Sequence, residues 1–337
     1  MNKIFSGMRP SGKLHLGNYL GAAKNWIALQ DEPDTKQAVY AVVDLHGITT
    51  PYDPKTYHAG VMDVILDYMA AGVDPAKSLL IRQSKVHQHA ELCWLFNTIT
   101  PVSWLDRLPT YKEKIEQTGD KYTHMGMLDY PVLMAADVLL YKANIVPVGD
   151  DQKAHIDLMN EIAKKFNHMF GVTFEPVKMY RKEGARIMSL KDPSKKMSKT
   201  PHQSELGTGQ AGFSYIALSD SPDEIREKIK KAVTDSGSSI DFDAKNRPAL
   251  NNLLTIYHLL SNQTTEQITN EFQGKQYSDF KPRLAEVIVA FLKPFQSRRA
   301  SLASDMGAVN DILQKSEEKA SIIAQTTLSE VKQKMGL

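Results

Sequence analysis

Cysteine is almost absent from this chain: its 337 residues include one, Cys93. A single thiol excludes an internal disulfide, and the lack of any Cys pair excludes the usual thiolate sites for zinc or an iron–sulfur cluster. Cys93 lies in the apolar run Leu92-Cys93-Trp94-Leu95-Phe96. That run reads as core, where burial raises a thiol's pKa and disfavours a nucleophile. Long hydrophobic runs are missing too, since no stretch approaches the roughly 20 apolar residues that span a bilayer, and no membrane partner is expected. The opening Met1-Asn2-Lys3-Ile4-Phe5-Ser6-Gly7 enters a strand at once, leaving no room for a signal peptide, so a cytoplasmic protein is expected. Neither sign of charge dominates, the formal net charge being +2. A tight binder of long nucleic acid often carries a strongly basic balance, so RNA contact here needs a local stripe. Internal repeats and low-complexity tracts are also absent.

What is present is an ordinary globular composition, 42% apolar and 24% charged. The length suffices for one large or two moderate domains. The first half alternates short apolar runs with amphipathic stretches. Strands are expected at Ile4-Phe5-Ser6, Ala38–Val43, Leu79-Leu80-Ile81 and Asn144–Val148, and helices at Leu16–Leu29, Tyr57–Ala71, Glu91–Ile99, from Pro131 to Tyr141 and at Asp150–Phe166. Such alternation predicts a parallel sheet with helical crossovers. Composition shifts near Ser189, where a polar, lysine-rich segment with two prolines runs to Pro201. Beyond it helices are expected at Asp223–Val233, Ala249–Leu260, Thr265–Phe272, Pro282–Ala303 and Val309–Met335. The expected architecture is α/β: a Rossmann-like, parallel-sheet nucleotide-binding domain at 1–195, then a mobile loop and an all-helical domain at 196–337.

Two segments carry chemistry. The turn Pro10-Ser11-Gly12-Lys13-Leu14-His15-Leu16-Gly17-Asn18 joins a strand to a helix, an arrangement that presents free backbone N–H groups to an anion. His15 and Asn18 are three apart and project on one helical face, both able to donate to phosphate oxygens. Far downstream, Lys195-Lys196-Met197-Ser198-Lys199-Thr200 places three lysines beside hydroxyls on a loop, a set able to neutralise a leaving pyrophosphate. Alone, the first reads equally as a strand–loop–helix corner and the second as a solvated basic loop. In this order on an α/β chain they suggest two ends of one ATP site.

The two segments resemble the HIGH and KMSKS motifs of class I aminoacyl-tRNA synthetases. Four blocks narrow the resemblance: Phe5–Gly12, Tyr130–Asp137, Val146–Gln152 and Ala232-Val233-Thr234-Asp235-Ser236 are similar to the bacterial tryptophanyl-tRNA synthetase family. The resemblance runs from Ile4 to about Gly336. It implies a two-step ligase that makes tryptophanyl-adenylate from L-tryptophan and ATP, then charges tRNA(Trp). ATP would enter as a substrate carrying Mg2+, with no structural metal, and the family implies a homodimer. The catalytic set it implies is His15, Asn18, Lys196 and Lys199.

Around ATP the resemblance implies Arg9, Pro10, Ser11, Gly17 and Asn18 from the first loop, Gly149, Asp150 and Asp151 near the ribose, Ile187 near the adenine, and Lys196, Met197, Ser198, Lys199 and Thr200 at the leaving phosphates. For tryptophan, Met134 and Asp137 lie at i and i+3, so they share a helical face. In the family the matching carboxylate accepts the indole N–H and the methionine packs on the ring. Phe5, His46, Val146 and Val148 correspond to further pocket walls, and Tyr130 and Gln152 to residues that orient the α-amino group. Indole has one donor and no acceptor, so a buried acceptor discriminates it from phenylalanine. A site built this way can reject by about 10⁴ without editing, and nothing between Asp44 and Tyr130 is long enough for an editing insertion.

Three positions depart from the family's pattern. Asn18 stands where the general class has a second histidine, Thr200 replaces the final serine, and Arg9 stands where many bacterial members have glutamine. The sister family that activates tyrosine shares fold and motifs, and Asp137 could also accept from a phenol; the Met134-to-Asp137 context and Gly149–Gln152 favour tryptophan. A small-molecule adenylyltransferase would have no reason for a large helical domain, and an idle paralogue none to keep both motifs. Arg107, Lys112, Lys114 and Lys121, near Tyr111, form a basic stretch that reads equally as a tRNA acceptor-stem contact or dimer interface and as a solvated face. Anticodon recognition is expected of the helical domain, where Lys281, Arg283, Lys293, Arg298 and Arg299 supply positive charge. The apolar stretch Ile99–Leu108 is a candidate dimer face.

Overall fold

The apolar runs of the first half become short strands, and a fifth joins them, in a computed structural model that describes residues 1–10, 12, 14–109, 124–180, 186–198, 212–237 and 239–337. The strands are β1 (Asn2–Met8), β2 (Thr35–Val42), β3 (Leu79–Arg82), β4 (Ile145–Pro147) and β5 (Lys178–Tyr180). All pairs are parallel, in the order β3-β2-β1-β4-β5. Ile4 sits at the centre, in register with Ala38 on one side and Ile145 on the other. Successive side chains point to opposite faces. Ile4, Ala38, Tyr40 and Val42 therefore join one core, and Phe5, Val39 and Ala41 another. Strands buried on both faces read as continuous apolar runs, which is why β2 was visible in the sequence. β5 is short, with an exposed lysine, and gives no such signal.

The chain order reverses between β1 and β4. In open α/β sheets the carboxyl ends of the strands at such a switch point form a crevice where ligands bind. The elements that border it follow from local sequence. After β1, Gly12 takes φ 73°, a left-handed conformation that favours glycine. His15 then caps a helix that runs Leu16–Asn18, passes through a π-turn at Tyr19–Ala23 and continues as Lys24–Gln30.

Several helical boundaries differ from expectation. The helix expected to begin at Pro131 spans Met125–Leu139, with Pro131 inside it. Proline is favoured at a first turn, but here it stands in the helix interior, buried, where it donates no N–H to the helix. The acidic pair Asp150-Asp151 lies in a 3-10 turn, Asp150–Gln152, ahead of a helix that starts at Lys153 and whose first turn carries no acid.

Beyond residue 212 the structure is helical: Pro222–Lys230, Pro248–Ser261, Thr265–Glu271, Tyr277–Ser304 and Met306–Met335. Ser221 with Glu224, and Thr264 with Gln267, form reciprocal caps that set two of the starts. The long Tyr277–Ser304 helix holds Pro282 and Pro294 in its interior rather than at its start. The last helix returns to the sheet and covers β3, Ser316 Oγ accepting from Leu80 N at 2.8 Å. Its small face Ala320, Ala324, Leu328 and Val331 is buried in the core that holds Phe5. Among the described residues no helix is long and apolar enough to cross a membrane.

Candidate active site

A cavity of about 450 Å³ opens at the switch point, above Phe5, Ser6 and Gly7 of β1. All eight residues expected around tryptophan line it: Phe5, His46, Tyr130, Met134, Asp137, Val146, Val148 and Gln152. They come from five separate segments. β1 supplies Phe5, the helix Asp44–Gly47 supplies His46, and Met125–Leu139 supplies Tyr130, Met134 and Asp137. β4 and the turn after it supply the two valines and Gln152. Arg9 and the buried His155 also line the cavity, and His155 Nε2 lies 3.0 Å from the Tyr130 hydroxyl.

Asp137 is 1% exposed. Its Oδ1 accepts from Gln83 Nε2 at 2.7 Å and pairs with His89 Nδ1 at 2.7 Å, while Oδ2 pairs with His46 Nε2 at 2.9 Å. Burial by itself would push this carboxyl up, but the hydrogen bonds from His46 and His89 outweigh it and hold it below the ordinary carboxylate range. The group is therefore an anion and an acceptor. A carboxylate offers about four lone-pair sites, of which these partners take three. The site that remains is on Oδ2, and Asp137 faces the cavity.

Sequence reasoning missed Gln83, His89 and Tyr141. Gln83 and His89 are fully buried, and His89 Nε2 lies 2.9 Å from the Tyr141 hydroxyl. Burial, with the Asp137 charge nearby, pushes the Tyr141 phenol well up, so it keeps its proton. Tyr141 also stacks on Phe5, with ring centres 5.7 Å apart. The one local signal was a pair of polar residues beside apolar runs, which does not say where their side chains meet.

The two segments expected to enclose ATP are tied to their neighbours largely through backbone groups. His15 Nδ1 accepts from Asn18 N at 3.2 Å, and Asn18 Oδ1 accepts from His15 N at 3.3 Å. That reciprocal cap places the imidazole proton on Nε2 and leaves the Asn18 NH2 as its donor end. The backbone around His15 pairs antiparallel with Ile216–Leu218 through Leu16 N to Ile216 O and Leu218 N to Leu14 O, both 2.9 Å. The segment before the second motif forms a small hairpin: Ser189 N donates to Lys195 O at 2.8 Å, and Met197 N to Ile187 O at 3.0 Å. Asn252 grips the hairpin by both backbone groups of Met188, at 2.9 and 3.0 Å. The two motifs meet where a Cβ on Gly17 would stand 3.3 Å from Met197 Cβ, so glycine allows this approach.

Lys196 is exposed and Met197 buried beside this contact. Gly149 and Asp151 lie just beyond β4, and Gln152 Nε2 donates to Asp151 Oδ2 at 2.7 Å. The Asp150 backbone is in that turn. Pro10 is buried in the wall of a second cavity beside Arg9, and Ser198 follows Met197. Ser11, Lys199 and Thr200, with Lys112, Lys114 and Lys121, lie outside the described residues.

Most of the second basic set is engaged within the chain. Lys281 Nζ donates to Ala232 O at 2.8 Å, Arg283 pairs with Glu271, Arg298 Nε donates to Ala70 O at 2.8 Å, and Arg299 pairs with Asp67 and Asp63 at 2.6 and 2.7 Å. Arg298, Lys293 and, in the first stretch, Arg107 are exposed. Within Ile99–Leu108, Ile99, Leu105 and Leu108 are buried and Val102 is exposed. Cys93 is buried, and burial followed by the Asp129 charge pushes its thiol far up.

A parallel sheet with a cavity at its switch point, and His15–Asn18 packed against the hairpin that ends at Met197, is the architecture of an α/β nucleotide-binding fold. The model of the family described as tRNA synthetases class I (W and Y) matches residues 1–293. A tryptophan–tRNA ligase of Thermosynechococcus vestitus is 44% identical over 99% of this chain and 99% of its own length. The crystal structure of tryptophanyl-tRNA synthetase from Mycoplasma pneumoniae superposes with a TM-score of 0.85 at 33% identity, covering 100% of this chain and 98% of that one. The Campylobacter jejuni tryptophanyl-tRNA synthetase complexed with ADP and tryptophan gives 0.84 at 28% identity, covering 99% and 100%. The chain belongs to the class I tRNA synthetases, in their bacterial tryptophanyl branch.

Proposed function

We infer that this chain is a tryptophan–tRNA ligase that activates L-tryptophan with Mg-ATP and then charges tRNA(Trp). The observation that carries this is the ionised, buried Asp137 at the floor of an apolar cavity, with one acceptor site facing inward. An indole N–H fills that site; an analogue without it leaves a buried acceptor unpaired, which costs about 1–3 kcal/mol. Phe5, Met134, Val146 and Val148 supply the apolar walls for the ring. Tyr130 and Gln152, at the polar rim, hold the α-ammonium group.

The first step needs no covalent enzyme intermediate. A tryptophan carboxylate oxygen attacks the α-phosphorus of ATP, the bond to the bridging β-phosphate oxygen breaks, and pyrophosphate leaves. His15 Nε2–H and the Asn18 NH2 donate to phosphate oxygens, and Lys196 with Lys199 balances the charge that builds on the leaving group. Arg9, Pro10, Ser11, Gly17, Met197, Ser198 and Thr200 complete the phosphate enclosure. Gly149, Asp150, Asp151 and Ile187 hold the nucleoside. In the second step a terminal ribose hydroxyl of the tRNA attacks the adenylate carbonyl and AMP leaves.

The same reading assigns catalysis to 1–195 and tRNA recognition to 196–337, in the cytoplasm. It also proposes a homodimer. Ile48 and Trp94, 43 and 69% exposed, line a shallow cavity, a patch suited to a second copy. ATP–pyrophosphate exchange tests the central reading. Exchange should require tryptophan and fail with tyrosine or phenylalanine; exchange driven by tyrosine, or by none of the three, overturns it.

A further inference from the structure

Asp137 is not held by the substrate pocket alone. Behind it stands a chain of three buried groups that no step of the reaction touches: Gln83 and His89, each 0% exposed, and Tyr141, 1% exposed. Gln83 reaches it from the turn after β3, and His89 from the first turn of the helix Gln88–Asn97. Tyr141 follows the same helix that carries Asp137, one turn on, and closes the chain from the far side of the His89 ring.

The hydrogen-bond roles are fixed by what each atom can do. An ionised carboxylate only accepts, so Gln83 Nε2 and His89 Nδ1 both donate to Oδ1. The Tyr141 hydroxyl keeps its proton and needs an acceptor, and the one it has among the described residues is His89 Nε2, at 2.9 Å. With Nε2 accepting from Tyr141, the proton that faces Asp137 sits on Nδ1, and Tyr141 favours that arrangement. The other tautomer would turn a lone pair toward the carboxylate. Oδ1 is saturated by these two donors, and His46 occupies one site of Oδ2. The carboxylate is left with one acceptor direction, into the cavity.

We propose that His89 is a positioning residue for substrate selection, set in its donor tautomer by Tyr141 and assisted by Gln83, and that this triad leaves Asp137 with a single acceptor aimed at the indole N–H. The proposal rests on the tryptophan reading above. It predicts a specific pattern: disturbing the triad should harm recognition of the N–H while leaving the fit of the ring largely unchanged.

The test compares tryptophan with its isostere in which sulfur replaces the indole N–H. Pyrophosphate exchange kinetics are measured for the wild-type protein, Tyr141→Phe, His89→Leu, His89→Asn and Asp137→Asn, with the folded state of each checked by thermal melting. Tyr141→Phe and His89→Leu should lower kcat/KM for tryptophan by about tenfold or more and for the isostere by less than about threefold, so that selectivity falls. His89→Asn, whose amide can donate from near the Nδ1 position, should recover most of the selectivity. If Asp137→Asn abolishes selectivity but Tyr141→Phe and His89→Leu lower both substrates equally, the triad is merely structural and the proposal is overturned. If Asp137→Asn leaves selectivity unchanged, the tryptophan reading fails and takes the proposal with it. Should His89→Leu not fold, Tyr141→Phe and His89→Asn still decide between these outcomes.

Discussion

Arg82→Met should destabilise the whole chain by an amount the geometry sets. Arg82 ends β3, and Glu317 comes from the last helix, 235 residues away. Arg82 Nε and Nη2 donate to the two carboxylate oxygens at 2.7 and 2.8 Å, and the Arg82 backbone N–H adds a third bond at 3.1 Å. The side chains are 12 and 9% exposed, so water screens them little. Hydrogen bonding to Glu317 first, and its charge, raise the Arg82 pKa against burial. Methionine keeps the aliphatic packing and the backbone bond but leaves a buried carboxylate without its counter-ion, at a cost of about 3–5 kcal/mol. With about 2.1 cal/mol/K of unfolding entropy per residue, a chain of 337 residues loses about 1.4 °C per kcal/mol, so the midpoint should drop by about 4–7 °C. The double variant Arg82→Met with Glu317→Leu removes the orphan charge and should regain all but about 1–3 kcal/mol, the cost of the unpaired Arg82 N–H. Differential scanning calorimetry of the four proteins measures this. A single variant within about 1 °C of wild type, or a double variant worse than Arg82→Met, refutes the reasoning.

Three further outcomes follow from the same contacts. Gly17→Ala puts a methyl 3.1 Å from His15 Nδ1 and 3.3 Å from Met197 Cβ; it should lower kcat about tenfold with little change in the tryptophan KM, and an unchanged kcat would show that the motifs need not approach. Asn252→Ala strips both backbone partners from Met188 and should raise the ATP KM severalfold and lower stability by about 1–3 kcal/mol, read by exchange kinetics and melting. Asp235 is held far below the ordinary carboxylate range, first by the hydrogen bonds of Arg247 and then against burial by Tyr277. A depressed folded pKa gives stability that is complete above the unfolded value near about 4 and is lost as pH falls below it. Asp235→Asn should therefore flatten the acid limb of the melting temperature between about pH 4 and pH 2; an unchanged slope counts against that network.

What could be read from the sequence was what is local. β2 announces itself because Ala38–Val42 is buried on both faces, and Met134 and Asp137 share a face because helical spacing puts them there. The strand order could not be read, since parallel pairing joins segments more than a hundred residues apart, as Ile4 with Ile145. Pro131 misled because proline marks a helix start more often than an interior. The partners of Arg298 and Arg299, namely Ala70, Asp63 and Asp67, could not be read because they lie more than 220 residues upstream. Gln83 and His89 stayed hidden for the same reason: each is an ordinary polar residue until the fold aims it at Asp137.

The central claim is that the Asp137 carboxylate selects tryptophan, and one measurement meets it directly: tryptophan-dependent pyrophosphate exchange by Asp137→Asn. The amide has one acceptor oxygen where the carboxylate has two, and its NH2 must face either the donors of Gln83 and His89 or those of His46 and the substrate. Losing a charged hydrogen bond to the indole N–H costs about 1.5–3 kcal/mol, so kcat/KM for tryptophan should fall by about 10- to 150-fold while the protein stays folded. A folded Asp137→Asn variant with kcat/KM within about twofold of wild type would contradict the account.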